Sequence, residues 1–145
     1  IIKNGLEEDS NDMTMIHVRR NDYLKFNEEL PLIYYEKAMD HIKEKTKKFK
    51  FNVFTDDLAW SKNQKIFKNA QNIFASSDSP KDTIETFSLM LQNQNFIIAN
   101  STFSLIAAFL AEKSNSIVTY PDPWFKARSY NKNITSSKWQ KIKYN

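Results

Sequence analysis

Hydrophobic and polar positions change along this chain in short blocks that predict strands and helices in turn. Alternating or continuous short apolar runs indicate strands, whereas apolar residues that repeat every three or four positions indicate helices. The blocks predict five strands, over residues 13–18, 49–55, 72–75, 96–99 and 116–120. Between the strands they predict four helices, over residues 31–48, 56–67, 81–93 and 102–113. This alternation favours an α/β fold with a mainly parallel sheet and flanking helices.

The two ends of the chain lack such a pattern, and they divide it into three parts. Residues 1–12 are polar and acidic after an apolar start, and we interpret them as a linker from a preceding domain. Residues 13–125 form the predicted domain. Residues 126–145 show no clear period, but nearby aromatic residues such as Trp124 and Trp139 predict that this tail packs back onto the domain.

The predicted helix over residues 102–113 is nearly all apolar. A helix that is apolar on all sides is normally buried. We therefore expect it to be covered, in part by another domain or subunit.

Composition excludes several kinds of site. The chain has 145 residues with one glycine, Gly5, no cysteine and two histidines. An average chain of this length has roughly ten glycines, and glycine-rich phosphate loops and nucleophile elbows need several. A zinc thiolate, a cysteine nucleophile or a histidine-built metal site is equally disfavoured. No apolar run approaches the roughly 20 residues that span a bilayer, so we expect a soluble, intracellular protein.

The charge of the chain draws attention to its few arginines. The net charge is +4, and of 21 basic residues only Arg19, Arg20 and Arg128 are arginines. Arginine grips carboxylate or phosphate with a planar fork, whereas lysine is the usual solvated surface residue. The lysine run over residues 43–50 contains a single aromatic residue, Phe49, which is too few rings to stack on successive bases, so we expect no nucleic-acid partner.

The first predicted strand ends in a basic cluster. Alternation along the strand sends His17 and Arg19 to one face, with Arg20 at the point where the strand becomes a loop. Ligands of open α/β sheets bind at the carboxyl ends of strands. These residues therefore form either a diphosphate clamp, in which Asp22 holds a guanidinium in place, or a solvated strand end with an incidental arginine pair.

The fourth predicted strand leads directly into a helix that begins with Ser101, Thr102 and Ser104. A helix N-terminus with hydroxyl side chains can bind phosphate without glycine. The alternative is an ordinary helix cap, which is the commoner use of such residues.

Carboxylates near the ends of the second and third strands allow two interpretations. Asp78, Asp82 and Glu85 are either partners of a helix dipole or contacts to a base or ribose, and the pair Asp56 and Asp57 is equally open. No two aspartates are spaced as Asp-x-Asp, an element with which many glycosyltransferases hold a divalent metal.

Four blocks of sequence occur in a characteristic order. They are His17-Val18-Arg19-Arg20-Asn21-Asp22-Tyr23, residues 53–57 with Trp60, residues 85–90, and residues 96–104. Together they resemble glycosyltransferase family 11, the α-1,2-fucosyltransferases, which transfer L-fucose from GDP-fucose to O2 of a galactoside. The first block is shared with other fucosyltransferases, and the later blocks narrow the resemblance, which extends from about residue 13 to residue 125.

The resemblance implies a fold, a reaction and partners. It implies the Rossmann-like C-terminal domain of a GT-B glycosyltransferase, with an N-terminal domain that this chain lacks. The implied enzyme inverts the anomeric centre, needs no metal or other cofactor, and uses GDP-fucose and a galactoside acceptor in O-antigen type surface glycan synthesis. It is expected in the cytoplasm, with peripheral association at the inner face of the membrane as an option, and this part alone is expected to be inactive.

The resemblance also implies roles for individual residues. Arg19 and Arg20 would hold the diphosphate and stabilise it as a leaving group, while Asp22 orients them. His17 would contact the nucleotide or the bound sugar, and Glu85 would be the acid that contacts the nucleotide. The phosphates would be capped by Ser101, Thr102 and Ser104. The chain departs from the family pattern at Asn21, usually Gly, at Leu105-Ile106, often a Trp pair, and at Asn93, commonly Cys.

The general base that deprotonates the acceptor is not assigned. Glu28 and Glu29 follow the arginines and are candidates, as are groups on the absent domain. The alternative to a transferase is a stand-alone module that binds a nucleotide or nucleotide sugar without catalysis.

Overall fold

The computed structural model describes residues 12–77 and 79–145. Its centre is a parallel sheet in the order β3-β2-β1-β4-β5-β6. The strands are β1 (Met13–Val18), β2 (Lys50–Thr55), β3 (Asn72–Ala75), β4 (Asn95–Ile97), β5 (Val118–Asp122) and β6 (Gln140–Lys143). The helices are α1 (Asn21–Lys25), α2 (Leu32–Lys43), α3 (Leu58–Lys62), α4 (Pro80–Met90) and α5 (Thr102–Ala111), with a 3₁₀ turn at Lys65–Phe67.

The order of the strands creates one reversal, between β1 and β4. From β1 the chain moves outward through β2 to β3, and it then returns to place β4 on the other side of β1. Such a reversal opens a crevice at the carboxyl edge of the sheet, where ligands of Rossmann-like domains bind. The predicted Rossmann-like, parallel α/β fold is therefore confirmed.

Two hydrophobic cores cover the two faces of the sheet. Alternation along β1 sends Ile16 and Val18 to one core and Met15 to the other. The first core packs against α2 through Tyr34, Tyr35, Ala38, Met39 and Ile42. The second packs against α4 and α5, and includes Met90, Leu105, Ala107, Ala108, Trp124 and Trp139. His17 follows Met15 by two positions, so its side chain belongs to the second face.

Two elements were not predicted from the sequence, and all four predicted helices are shorter in the structure, two of them by five residues or more. Helix α1 lies in a segment interpreted as a polar loop, and β6 lies in the tail predicted to pack back. Helix α2 ends at Lys43 rather than Lys48, and the predicted helix over 56–67 is α3 followed by the 3₁₀ turn. The linker predicted over residues 1–12 falls, apart from Asp12, outside the described residues.

Helix α5 is covered on one side only. Its inner residues are buried, but Ile106, Phe109 and Leu110 are 49%, 45% and 68% exposed. The sheet covers only the face of α5 that packs against it, and the expectation that another domain or subunit covers the outer face stays a prediction. This apolar helix has 10 residues, and none of the described helices is long and apolar enough to cross a membrane.

Candidate functional site

A cleft of about 490 Å³ opens at the carboxyl edge of the sheet, beside the reversal between β1 and β4. The side chains that line it come from the ends of β1, β2 and β3 and from the first turns of α1, α4 and α5. They are His17, Arg19, Asn21, Asp22, Asp56, Ser76, Ser77, Thr83 and Phe103. Ser76 and Ser77 directly follow β3, so their place after a strand could have pointed to them in the sequence. Asp78, another candidate, lies outside the described residues.

Arg19 is a fixed cation in this cleft. Its Nε and Nη2 donate to the two carboxylate oxygens of Asp22 at 3.1 and 3.0 Å, and Nε lies 3.5 Å from Oδ2 of Asp56. Burial by itself lowers the pKa of Arg19. The hydrogen bond and charge of Asp22, together with the charge of Asp56, raise it by more, so the net shift of the pKa is upward. Asp22 engages two of the five N–H groups. Three remain to donate to an anion.

Asp56 joins the end of β2 to the turn after β1. Its Oδ1 accepts the backbone N–H of Arg20 at 2.8 Å, and its Oδ2 accepts that of Asn21 at 3.1 Å. The Asn21 side chain donates back to the Asp56 carbonyl at 2.7 Å. Burial raises the pKa of Asp56, and the two backbone donors oppose that shift. The sequence left Asp56 undecided, and the structure shows it anchoring the turn that carries Arg19.

Asn21 stands where the family resemblance leads us to expect glycine, and its backbone is not strained. Among the described residues that are not glycine, only Asn27 has a positive φ, of 55°. The backbone at Asn21 therefore needs no glycine, and its amide adds a contact to Asp56 that glycine lacks.

His17 contributes a neutral ring to the cleft. The side chain is only 6% exposed, and its ring centroid lies 6.0 Å from that of Phe103. Burial, with a smaller effect from the charge of Arg19, lowers the pKa of His17 to about 3. Its Nδ1 has no hydrogen-bond partner within the described part of the chain. The ring therefore offers polar atoms rather than a charge to a ligand near neutral pH.

Arg20 points away from the cleft, so the structure separates the predicted arginine pair. Its Nε donates to Oδ2 of Asp57 at 3.2 Å, and its guanidinium carbon lies 3.8 Å from the ring centroid of Trp60. Successive side chains leave an extended segment on opposite faces, so Arg19 and Arg20 cannot easily serve one ligand. Arg20 instead fastens α3 to the end of β1.

Ser101 and Ser104, at the start of α5, form hydrogen bonds with the backbone instead of lining the cleft. Ser101 caps the helix by accepting the N–H of Phe103 at 3.3 Å. Ser104 is buried, and its hydroxyl accepts the N–H of Ala99 at 3.1 Å. Thr102 is exposed outside the lining. Of this helix's first residues, Phe103 is the one that faces the cleft.

Glu85 also lies outside the lining of the cleft. It is exposed on α4, two residues after Thr83, which does line the cleft. The family resemblance implies ligand contacts at four further residues, Glu85, Ser101, Thr102 and Ser104. Their side chains do not line the cleft beside Arg19.

Glu28 is engaged by the C-terminal part of the chain. Its side chain is 1% exposed and accepts the backbone N–H groups of Lys126, Ala127 and Arg128 at 2.7, 3.4 and 3.4 Å. Its own carbonyl accepts the side-chain amide of Asn100 at 2.8 Å. The Glu28 side chain is buried and bound to three backbone donors, so it does not reach an acceptor in the cleft, which favours Glu29 or another group as the base.

The sheet order and the cleft define a Rossmann-like α/β domain with a polar cleft that contains one arginine, at the reversal of strand order. The sequence profile of Glycosyl transferase family 11 matches residues 2–143. The chain therefore belongs to glycosyltransferase family 11.

Curated relatives are similar over most of this chain. The O-antigen biosynthesis glycosyltransferase WbnK of Escherichia coli is 35% identical over 96% of this chain and 47% of its own length. An alpha-1,2-colitosyltransferase of Escherichia coli is 33% identical over 88% of this chain and 46% of its own. The galactoside 2-alpha-L-fucosyltransferase SEC1 of Bos taurus is 27% identical over 66% of this chain and 28% of its own. The chain thus spans about half the length of the two bacterial relatives, and no solved structure matches it significantly.

Proposed function

We propose that this chain is the donor-binding half of an inverting α-1,2-fucosyltransferase. The enzyme would transfer L-fucose from GDP-fucose to O2 of a galactoside during synthesis of an O-antigen type glycan. The observation that carries the proposal is Arg19, held by Asp22 in the cleft where a Rossmann-like domain binds its ligand. The names of the relatives, which include an O-antigen glycosyltransferase and a galactoside fucosyltransferase, supply the class of substrates.

The proposed reaction is a single displacement at the anomeric carbon. The acceptor O2 forms a bond to C1 of fucose, the bond from C1 to the β-phosphate oxygen breaks, and its electron pair leaves with GDP. The acceptor proton passes to a general base. Arg19 would donate its three remaining N–H groups to the diphosphate, where they stabilise the charge that develops on the leaving group.

The diphosphate would lie beside two carboxylates, and their contacts make this arrangement feasible. Asp22 stays ionised, because its double hydrogen bond to Arg19 lowers the pKa of that carboxyl, and the positive charge of Arg19 compensates its negative charge. Asp56 is bound to two backbone donors. Neither carboxylate therefore presents an uncompensated negative charge to the diphosphate. We propose that leaving-group stabilisation by Arg19 replaces the need for a divalent metal.

The proposal assigns the remaining work to the half of the enzyme that this chain does not span. That half would supply most acceptor contacts, and the whole enzyme would act in the cytoplasm, at the inner face of the membrane where O-antigen intermediates are extended. A stand-alone binding module remains the competing function, and turnover decides between the two.

Calorimetry and a transfer assay test this function. We expect the 145-residue chain to bind GDP and GDP-fucose but to transfer no measurable fucose to lactose by itself. The chain extended to the length of its relatives should transfer fucose, and chelation with EDTA should leave its rate unchanged. Absence of GDP binding would contradict donor binding. Tighter binding of GDP-colitose than of GDP-fucose would move the donor assignment to the sugar that the colitosyltransferase is named for.

Replacing Asp56 with asparagine should weaken GDP binding about fivefold, which corresponds to roughly 1 kcal/mol. A side-chain amide has a single acceptor oxygen, so it cannot accept the second backbone N–H, and the turn that carries Arg19 loosens. Calorimetry measures the affinity, and thermal unfolding measures the accompanying stability. Asp57→Asn is the matched control, because that side chain caps α3 and holds Arg20, outside the cleft. Equal losses of affinity in the two variants would show that Asp56 has no special role.

A further inference from the structure

A second cleft, of about 260 Å³, lies where β5 and β6 end and the connection over 123–139 crosses the sheet. Its lining includes Tyr120, Asp122, Trp124, Tyr130 and Lys141. It shares no lining residue with the Arg19 cleft. Both clefts lie at the carboxyl edge, because Tyr120 and Asp122 belong to the last three residues of β5. The sequence did not single out this region beyond the packing of its aromatic residues.

The second cleft has aromatic walls. Trp124 is buried at its base, and Tyr120 and Tyr130 are half-buried around it. These rings pack against the core of the second sheet face, which fixes their orientation. Rigid aromatic faces attract the slightly positive C–H groups on one face of a sugar ring, since the face of the ring carries negative charge density. Fixed aromatic walls with a few polar groups are typical of small-ligand sites.

The polar groups of this cleft are not used by the fold. The half-buried carboxylate of Asp122 has no hydrogen bond and no ion pair with any described residue. Lys132 and Lys141 lie exposed at the rim, and their ammonium groups are also unpaired among the described residues. The carboxylate of Asp122 is therefore free to accept hydrogen bonds from a ligand that enters this cleft.

Size and charge select the class of ligand. The volume is slightly below the roughly 300–1,000 Å³ of sites for drug-sized molecules, so the cleft suits a single ring rather than a nucleotide sugar. The carboxylate of Asp122 is half-buried and, unlike those of Asp22 and Asp56 in the first cleft, accepts no hydrogen bond from a described residue, so an anion entering this cleft would meet an uncompensated negative charge. Two adjacent hydroxyls, in contrast, can donate to the two carboxylate oxygens.

We propose that this second cleft is a saccharide subsite that takes one neutral pyranose ring of the glycan acceptor. The ring would lie against the aromatic walls, with two of its hydroxyls donating to Asp122. This inference rests on the proposed function, which makes a glycan the second substrate. The subsite would add an acceptor contact to the donor-binding half, whereas the proposed function alone assigns most acceptor contacts to the other half.

Backbone chemical shifts of the ¹⁵N-labelled chain test the subsite directly. Titration with methyl β-D-galactoside, and separately with lactose, should move the amide signals of Tyr120, Asp122 and residues 130–135. Binding at millimolar strength, about −4 kcal/mol, is sufficient for such a titration. Asp122→Asn should weaken the sugar about tenfold, because a neutral amide is a poorer acceptor of hydroxyl groups. Asp40→Asn, an exposed change on α2, should leave the affinity unchanged.

Two substitutions at Tyr130 distinguish loss of the sugar contact from misfolding. Tyr130→Phe keeps the ring and removes only a hydroxyl, so it should retain sugar binding, and Tyr130→Ala should abolish it. No shifts at saturation, shifts confined to other residues, or equal affinity in Asp122→Asn would each overturn the subsite. GDP calorimetry on the same samples separates the two proposals, since the subsite can fail while GDP still binds in a way that depends on Arg19. Loss of GDP binding with sugar binding retained would instead reject the proposed donor site.

Discussion

Replacing Arg19 with alanine is expected to weaken GDP binding by about 10- to 100-fold. Among the described residues that line the cleft, Arg19 is the one positively charged side chain, since His17 is neutral near pH 7. Hydrogen bonds to charged groups contribute roughly 1.5–3 kcal/mol, and 1.4 kcal/mol is a factor of ten in affinity. Calorimetry at a fixed, moderate salt concentration measures the change, because salt screens partly exposed charges.

Two further variants show whether geometry or charge is responsible. Arg19→Lys keeps the charge but loses the fork that Asp22 orients, so it should recover only part of the affinity. Arg20→Ala is the matched control, since Arg20 contacts Asp57 and Trp60 outside the cleft. It should lower the melting temperature while changing GDP affinity by no more than about twofold. Similar affinity losses for Arg19→Ala and Arg20→Ala would contradict the separation of the pair and support a clamp made of both arginines.

The separation of the two arginines also divides the roles of the neighbouring aspartates. Asp22 and Asp56 act on the cleft side, where they orient Arg19 and anchor its turn. Asp57 acts on the opposite side, where it caps α3 and holds Arg20. One pair of adjacent arginines thus has two roles: Arg19 faces the cleft, and Arg20 stabilises the packing of α3 against the end of β1.

The strands and the parallel sheet were predictable because their sequence pattern is local and strong. The bounds predicted for β1 and β3 are those of the structure, and strands alternating with helices leave few other topologies. Helix α1 was not predictable, because it has five residues and buries none of them. Strand β6 was missed because only Ile142 in it is buried, so no alternation of several apolar residues marks it.

The candidate site was predictable in part, to the extent that it depends on neighbouring positions. Alternation correctly placed His17 and Arg19 on one face, and both line the cleft. The direction of Arg20 depends on Trp60 and Asp57, about 40 positions away. The contact of Glu28 with residues 126–128 depends on about 100 intervening positions. Pairings of that range leave no local pattern, so the sequence could not remove Glu28 from the candidate bases.

The unfolding free energy of the chain should fall by about 2 kcal/mol between pH 7.5 and pH 5, mainly because of His17. The folded chain keeps His17 neutral down to about pH 3, since burial and the charge of Arg19 lower its pKa from 6.5. The unfolded chain takes up that proton near pH 6.5, so between these values the unfolded state binds more protons. Stability is therefore fully present above pH 6.5 and is lost as the pH falls towards 3. Urea unfolding at several pH values, in one buffer system, measures this slope.

The variant His17→Asn should remove most of the slope, whatever its effect on the stability at pH 7.5, because the asparagine side chain does not titrate in this range. His41 is the other histidine of the chain and serves as the control. Its pKa is also lowered, first by partial burial and then by Lys45, but it is half-buried, so His41→Gln should change the slope much less. Asp22, whose pKa is lowered by Arg19, loses its contribution only at more acidic pH. A slope that survives in His17→Asn would show that other groups cause it, and an NMR titration of the His17 ring near pH 6.5 would show that the ring is hydrated and able to carry charge in the cleft.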